Sequence, residues 1–182
     1  MRAFIIHGWG GNPLESWKPW LASELTKSGF LVKVPAMPNA EHPRQDEWVK
    51  ALDEAVGQPT KDCFFIGHSL GCIAILRYLE SIQVVVGGAV LIAGFARSLG
   101  IPELDNFFTE PIDWKRIRNN CFRFTAINSD DDPYVPVECA NAFLQNLGAT
   151  CIIEHGMKHF GSAEGITQVP MVLREVLKMV RN

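Results

Sequence analysis

No run in the 182 residues approaches the roughly 20 consecutive apolar positions that a membrane-spanning helix needs. The opening M-R-A-F-I-I-H-G-W-G-G holds too short an apolar stretch for a signal-peptide core, and no small-residue cleavage pattern follows it. Excess charge of one sign is also missing. With 17 Lys and Arg against 20 Asp and Glu, the net charge of −3 offers no basic surface for nucleic acid or an anionic membrane. Cysteine is sparse: Cys63, Cys72, Cys121, Cys139 and Cys151 are odd in number, with no C-x-x-C pair and no zinc spacing. Most lie in apolar stretches, where a free thiol behaves as a small hydrophobe, and a reducing, cytoplasmic location is the expectation. No nucleotide loop is present either, because G-W-G-G-N-P matches neither G-x-G-x-x-G nor a P-loop with its lysine.

What remains is an ordinary globular composition, 47% hydrophobic and 20% charged, without repeats, biased tracts or a dividing linker. One domain over residues 1–182 is the expectation. Short, nearly continuous apolar runs rich in Val, Ile and Phe predict strands at residues 3–6, 31–34, 64–66, 86–93, 122–127 and 150–153. Amphipathic stretches between them predict helices at 16–28, 46–56, 70–81, 137–147 and 165–180, with Gly29 and Gly148 as C-terminal caps. This alternation predicts an α/β fold: a mostly parallel sheet of about six strands with helices on both faces. Residues 95–120 break the rhythm, being polar and proline-containing, and are expected to form a short cap-like excursion that shapes a pocket.

One pentapeptide carries chemistry. Gly67-His68-Ser69-Leu70-Gly71 matches the G-x-S-x-G nucleophile elbow, in which a serine sits on a strained strand-to-helix turn. Glycines on either side remove the Cβ atoms that would collide where strand and helix pass closely. Three fixed positions coincide by chance in about 6% of chains this long, so the pattern alone is modest evidence. Its setting adds the rest, because C-F-F-I precedes it and C-I-A-I-L-R-Y-L follows, as strand–turn–helix requires.

A serine hydroxyl needs a histidine to take its proton and a carboxylate to hold that histidine. Two histidines follow Ser69 in the chain, His155 and His159. His159 lies in the loop that can reach back to the serine, whereas His155 sits near the end of the last strand and remains the alternative. For the acid, N-S-D-D-D-P-Y-V-P follows a strand. Asp132 is favoured through its D-x-x-V-P turn, with Asp131 as first alternative, and Asp130 and Asp131 are expected to be solvated turn residues. The backbone N–H groups of Leu70 and of Trp9, in the H-G-W-G-G loop, are the expected donors to an oxyanion. His7 is expected to bond within its own loop, and Trp17, Trp20 and Trp48 to pack in the core.

Together H-G-W-G-G, P-A-M-P, G-H-S-L-G-C, F-F-T-E-P-I-D-W-K-R-I, S-D-D-D-P-Y-V-P and K-H-F-G run nearly end to end. In these motifs the chain resembles the small α/β-hydrolase-fold serine hydrolases related to retinoblastoma-binding protein 9. The resemblance implies a compact fold without a large lid, with Ser69, Asp132 and His159 at the triad positions. One departure is local: Met157-Lys158 precedes the histidine where relatives often have a small residue. The expected activity is cleavage of a small carboxylic ester or related acyl bond through an acyl-enzyme. Neither metal nor organic cofactor is required, and the partner is a small acyl substrate. A protein-binding module on the same scaffold is the alternative, although no docking motif is visible.

Overall fold

A computed structural model describes residues 1–181 of the chain. Strand β1 (Arg2–Ile6) leads to helix α1 (Lys18–Lys27), β2 (Leu31–Lys33) and α2 (Gln45–Val56). Next come β3 (Cys63–His68), α3 (Leu70–Ser81), β4 (Gly88–Ile92) and α4 (Trp114–Asn120), and then β5 (Phe124–Ser129), α5 (Ala140–Leu147), β6 (Thr150–Glu154) and α6 (Pro170–Arg181). The strands form one six-stranded sheet in the order β2-β1-β3-β4-β5-β6. Every pairing is parallel. This is the α/β-hydrolase arrangement in compact form, and no described helix is long and apolar enough to cross a membrane.

Strand periodicity divides the core into two layers. Phe4, Ile6, Phe65, Leu91 and Ala126 face α2 to α5, whereas Ala3, Ile5, Phe64, Ile66, Val90 and Ile92 face α1 and α6. Central strands β3 and β4 are buried at every residue, as two covered faces require. The edges depart from that pattern: Leu31 in β2 is 74% exposed and Ile153 in β6 is 40% exposed, because each has a neighbour on one side only.

Several boundaries differ from the sequence reading. Residues 86–93 yield a shorter strand, since Val86 makes only an isolated bridge to Cys121 and Ala93 turns away at φ 48°. The helix expected from 137 opens with a 3₁₀ turn, Val137–Cys139, and the last helix starts at Pro170 rather than 165. The excursion at 95–120 holds a 3₁₀ segment, Pro102–Phe108, and α4. Its 3₁₀ segment packs on α3, and α4 packs against α3 and α5. Buried Arg77 fastens it by donating to the carbonyls of Phe107 and Glu110, and Asn106 is bonded to Gln45 and Pro43. All five cysteines are free thiols, and four are buried.

Candidate active site

Because every strand is parallel, the loops after β1, β3, β5 and β6 emerge at the same sheet edge. Ser69 stands between β3 and α3 with φ 54° and ψ −118°, a conformation that costs on the order of 1–3 kcal/mol for a residue with a Cβ. The glycines beside it show why the turn tolerates nothing larger. A Cβ on Gly67 would lie 2.8 Å from the Cys72 amide nitrogen, and one on Gly71 would lie 2.5 Å from the Ile6 carbonyl oxygen. Helix α3 therefore passes almost against β1, and its first N–H groups open beside the serine.

The loop after β1 comes equally close. A Cβ on Gly8 would sit 3.0 Å from the Ser69 Cβ and 3.5 Å from its Oγ. His7 shapes this loop: the Met37 N–H donates to its Nε2 at 3.0 Å, so its Nδ1–H donates to the Gly8 carbonyl at 2.8 Å. Burial holds the pKa of His7 below the ordinary imidazole range. Both N–H groups expected to hold an oxyanion, those of Trp9 and Leu70, find no acceptor among the described residues.

His159 and Asp132 meet across the loops after β6 and β5. The His159 Nδ1–H donates to Asp132 Oδ2 at 2.8 Å, and the Asp132 side chain is only 1% exposed. Its other oxygen accepts the N–H groups of Tyr134, at 2.9 Å, and Val135, at 3.0 Å, within the Asp-Pro turn. The carboxylate is thereby held by three hydrogen bonds, and the imidazole keeps the tautomer with a free lone pair on Nε2. Ser69 and His159 line one cavity of about 170 Å³ with Gly8, Trp9, Lys18 and His68. No hydrogen bond joins the serine to the imidazole here, a contact that in such sites is commonly long until a substrate is held. Larger hollows of about 410 and 640 Å³ lie elsewhere, and neither is lined by a histidine.

Asp130 and Asp131 are solvated, as expected, and each also has a partner. Asp130 pairs with His155 at 2.5 Å and Asp131 with Lys158 at 2.9 Å, so three consecutive carboxylates engage the facing loop in order. Hydrogen bonding to Lys158 and then Ser129 pulls the Asp131 pKa down to about 2, and His155 lowers that of Asp130. Exposure separates the two His–Asp pairs, because the His155 side chain is 85% exposed against 16% for His159. The His155 pair is a surface clasp.

His68, the variable residue of the elbow, does more than the sequence reading gave it. Its Nε2–H donates to the His159 carbonyl at 2.7 Å, and burial, with His159 nearby, drives its pKa down to about 3. On either side of His159 the backbone is left-handed, φ 50° at Lys158 and 55° at Phe160. Such a backbone conformation favours a residue without a Cβ. No residue of the 95–120 excursion lines the cavity, contrary to expectation. Among the described residues no group of three or more His, Cys, Asp or Glu could hold a metal ion. Cys72, the one thiol near the elbow, is buried, and that burial pushes its pKa far up, leaving it an inert thiol.

A family model described as serine hydrolase matches residues 3–178. The YdeN protein of Bacillus subtilis is 34% identical over 175 residues, covering 94% of this chain and 92% of that one. Its crystal structure superposes with a TM-score of 0.95 at 31% identity, over 100% of this chain and 99% of the other. Serine hydrolase RBBP9 of Rattus norvegicus is 29% identical over 168 residues, covering 90% and 89% of the two chains. Est1E from Butyrivibrio proteoclasticus shares the fold, with a TM-score of 0.77 at 15% identity over 100% and 88%.

Proposed function

From the premise that the chain belongs to the serine hydrolase family, we propose that it cleaves a small carboxylic ester or related acyl bond through Ser69, His159 and Asp132. Residues 1–182 act as one domain. The Ser69 Oγ attacks the carbonyl carbon while its proton passes to His159 Nε2. Asp132 orients the ring and stabilises the imidazolium. Negative charge gathering on the carbonyl oxygen is met by the N–H groups of Leu70 and Trp9, donors of a kind whose loss costs roughly 10²–10³ in turnover. Collapse of the tetrahedral intermediate breaks the bond to the leaving alkoxide, which takes the proton from His159. Water, deprotonated by the same imidazole, then releases the acid and restores the Ser69 hydroxyl. The observation that best supports this reading is the buried, hydrogen-bonded Asp132–His159 pair lining the same cavity as a serine held in a strained elbow.

Labelling with a fluorophosphonate probe tests it. The wild-type protein is expected to label, and Ser69→Ala and His159→Ala to lose labelling while keeping their circular dichroism. Nitrophenyl esters of increasing acyl length then report turnover. Absence of labelling in a folded wild-type protein sinks the proposal.

A further inference from the structure

Lys18 is out of place on every physical count except one. It is the first residue of α1 and only 3% exposed. A helix N-terminus carries partial positive charge, so a cation there is opposed by the backbone itself. The stem of the side chain is covered, whereas the Nζ is not among the buried unpartnered atoms and so stays open toward the cavity. Yet its Nζ makes no ion pair and no hydrogen bond with any described residue; the Trp17 ring centroid lies 5.6 Å away, and the charge of Glu15 partly counters the effect of burial on its pKa. Three N–H donors are therefore unspent.

The exception is where the side chain lies. Lys18 lines the cavity that contains Ser69 and His159. Its charge reaches both His7 and His68 there, contributing to the lowered pKa of each. Glu15 is the only acidic residue in the lining, and it is half-buried with one oxygen taken by Asn12. Lys18 is the one Lys or Arg in that lining. Desolvation also lowers the Lys18 pKa, an effect that an anion placed beside it would reverse.

We infer that Lys18 selects the substrate class: a short acyl ester carrying a carboxylate, such as a half-ester of a small dicarboxylic acid, whose anion pairs with the Lys18 ammonium while Ser69 faces the ester carbonyl. This rests on the acyl-hydrolysis reading above and adds the charge of the substrate to it. No further covalent step is involved, since the pairing contributes only binding and orientation.

Binding to the Ser69→Ala protein separates the inference from the chemistry. Monomethyl glutarate and methyl valerate differ only in a terminal carboxylate against a methyl group. Calorimetry is expected to show the anionic ester bound roughly 10- to 100-fold more tightly, as a charge-assisted contact implies. Adding Lys18→Met, which keeps the stem and removes the charge, is expected to abolish that preference, and adding Lys18→Arg to retain part of it. In the otherwise native protein, the ratio of kcat/KM for the two esters should fall in the same order. Equal binding of both esters, binding of neither, or a preference untouched by Lys18→Met in a protein of native circular dichroism would overturn the inference. Tight, Lys18-dependent binding with no turnover by the native protein would instead sink the hydrolysis reading and leave the anion site standing.

Discussion

The Nε2–H of His68 donates to the backbone carbonyl of His159 at 2.7 Å, and the two rings lie 5.0 Å apart. The residue next to the proposed nucleophile, Ser69, thus holds the main chain of the proposed base. The same loop is gripped from the other side, where the Trp17 Nε1–H donates to the Phe160 carbonyl at 2.9 Å. These bonds offset the strain of left-handed backbone at Lys158 and Phe160.

His68→Leu removes the donor and leaves the His159 carbonyl unpaired. Misplacing the imidazole in this way should lower kcat about 10- to 100-fold with little change in KM. His68→Gln, which can still donate, should recover part of the loss. Steady-state kinetics on the two variants decide it, and an unchanged kcat in His68→Leu would count against a positioning role.

The same histidine makes stability depend on pH. Burial lowers its pKa from 6.5 to about 3, so the folded protein holds it neutral while the unfolded chain protonates below about 6.5. In that window the unfolded state binds more protons, and stability falls as pH drops from 6.5 toward 3. The slope from this one group approaches about 1.4 kcal/mol per pH unit. Urea midpoints between pH 4 and 7 should decline more steeply for the wild type than for His68→Gln. Parallel lines would refute the effect.

Asp132→Asn keeps the shape but changes the bonding. The single amide oxygen continues to serve the N–H groups of Tyr134 and Val135, which turns the NH₂ toward His159 Nδ1. That forces the opposite tautomer, with the proton on Nε2 and no lone pair for the serine. A fall in kcat of about 10⁴ is expected, the size such a change produces in a Ser-His-Asp site. Ester turnover within tenfold of wild type would remove Asp132 from the proposed machinery.

Gly71→Ala places a methyl 2.5 Å from the Ile6 carbonyl oxygen and 2.8 Å from that of His7, both backbone atoms of the strand end and its loop. Neither can yield without shifting β1 against α3. Destabilisation of about 1–3 kcal/mol is expected from overpacking, read by urea denaturation. A negligible change would show that the two elements slide apart more easily than their packing suggests.

Local patterns in the sequence carried the architecture and the strained elbow at Ser69. Apolar runs alternating with amphipathic stretches reflect strands covered on both faces and helices covered on one, so the parallel sheet was readable. Gly67 and Gly71 around Ser69 mark a backbone conformation and a close approach, both short-range demands that residue types two positions away express directly. Boundaries were less legible wherever a nonlocal contact intervenes, as at β4, which Ala93 ends by turning away. The sequence favoured His159 over His155 by its place in the loop, but only the tertiary structure showed the difference in their burial and paired each of three adjacent aspartates with its own partner. Those choices depend on how the loops after β5 and β6 face each other, and His159 and Asp132 lie 27 residues apart. The fate of Lys18 was decided in the same way. On a helix wheel it is one more charged residue, and it becomes a largely covered side chain lining the same cavity as Ser69 only when α1 packs against the sheet edge. Short-range sterics are written in neighbouring residues, whereas the partners of a charge are set by whichever elements the fold brings to meet it.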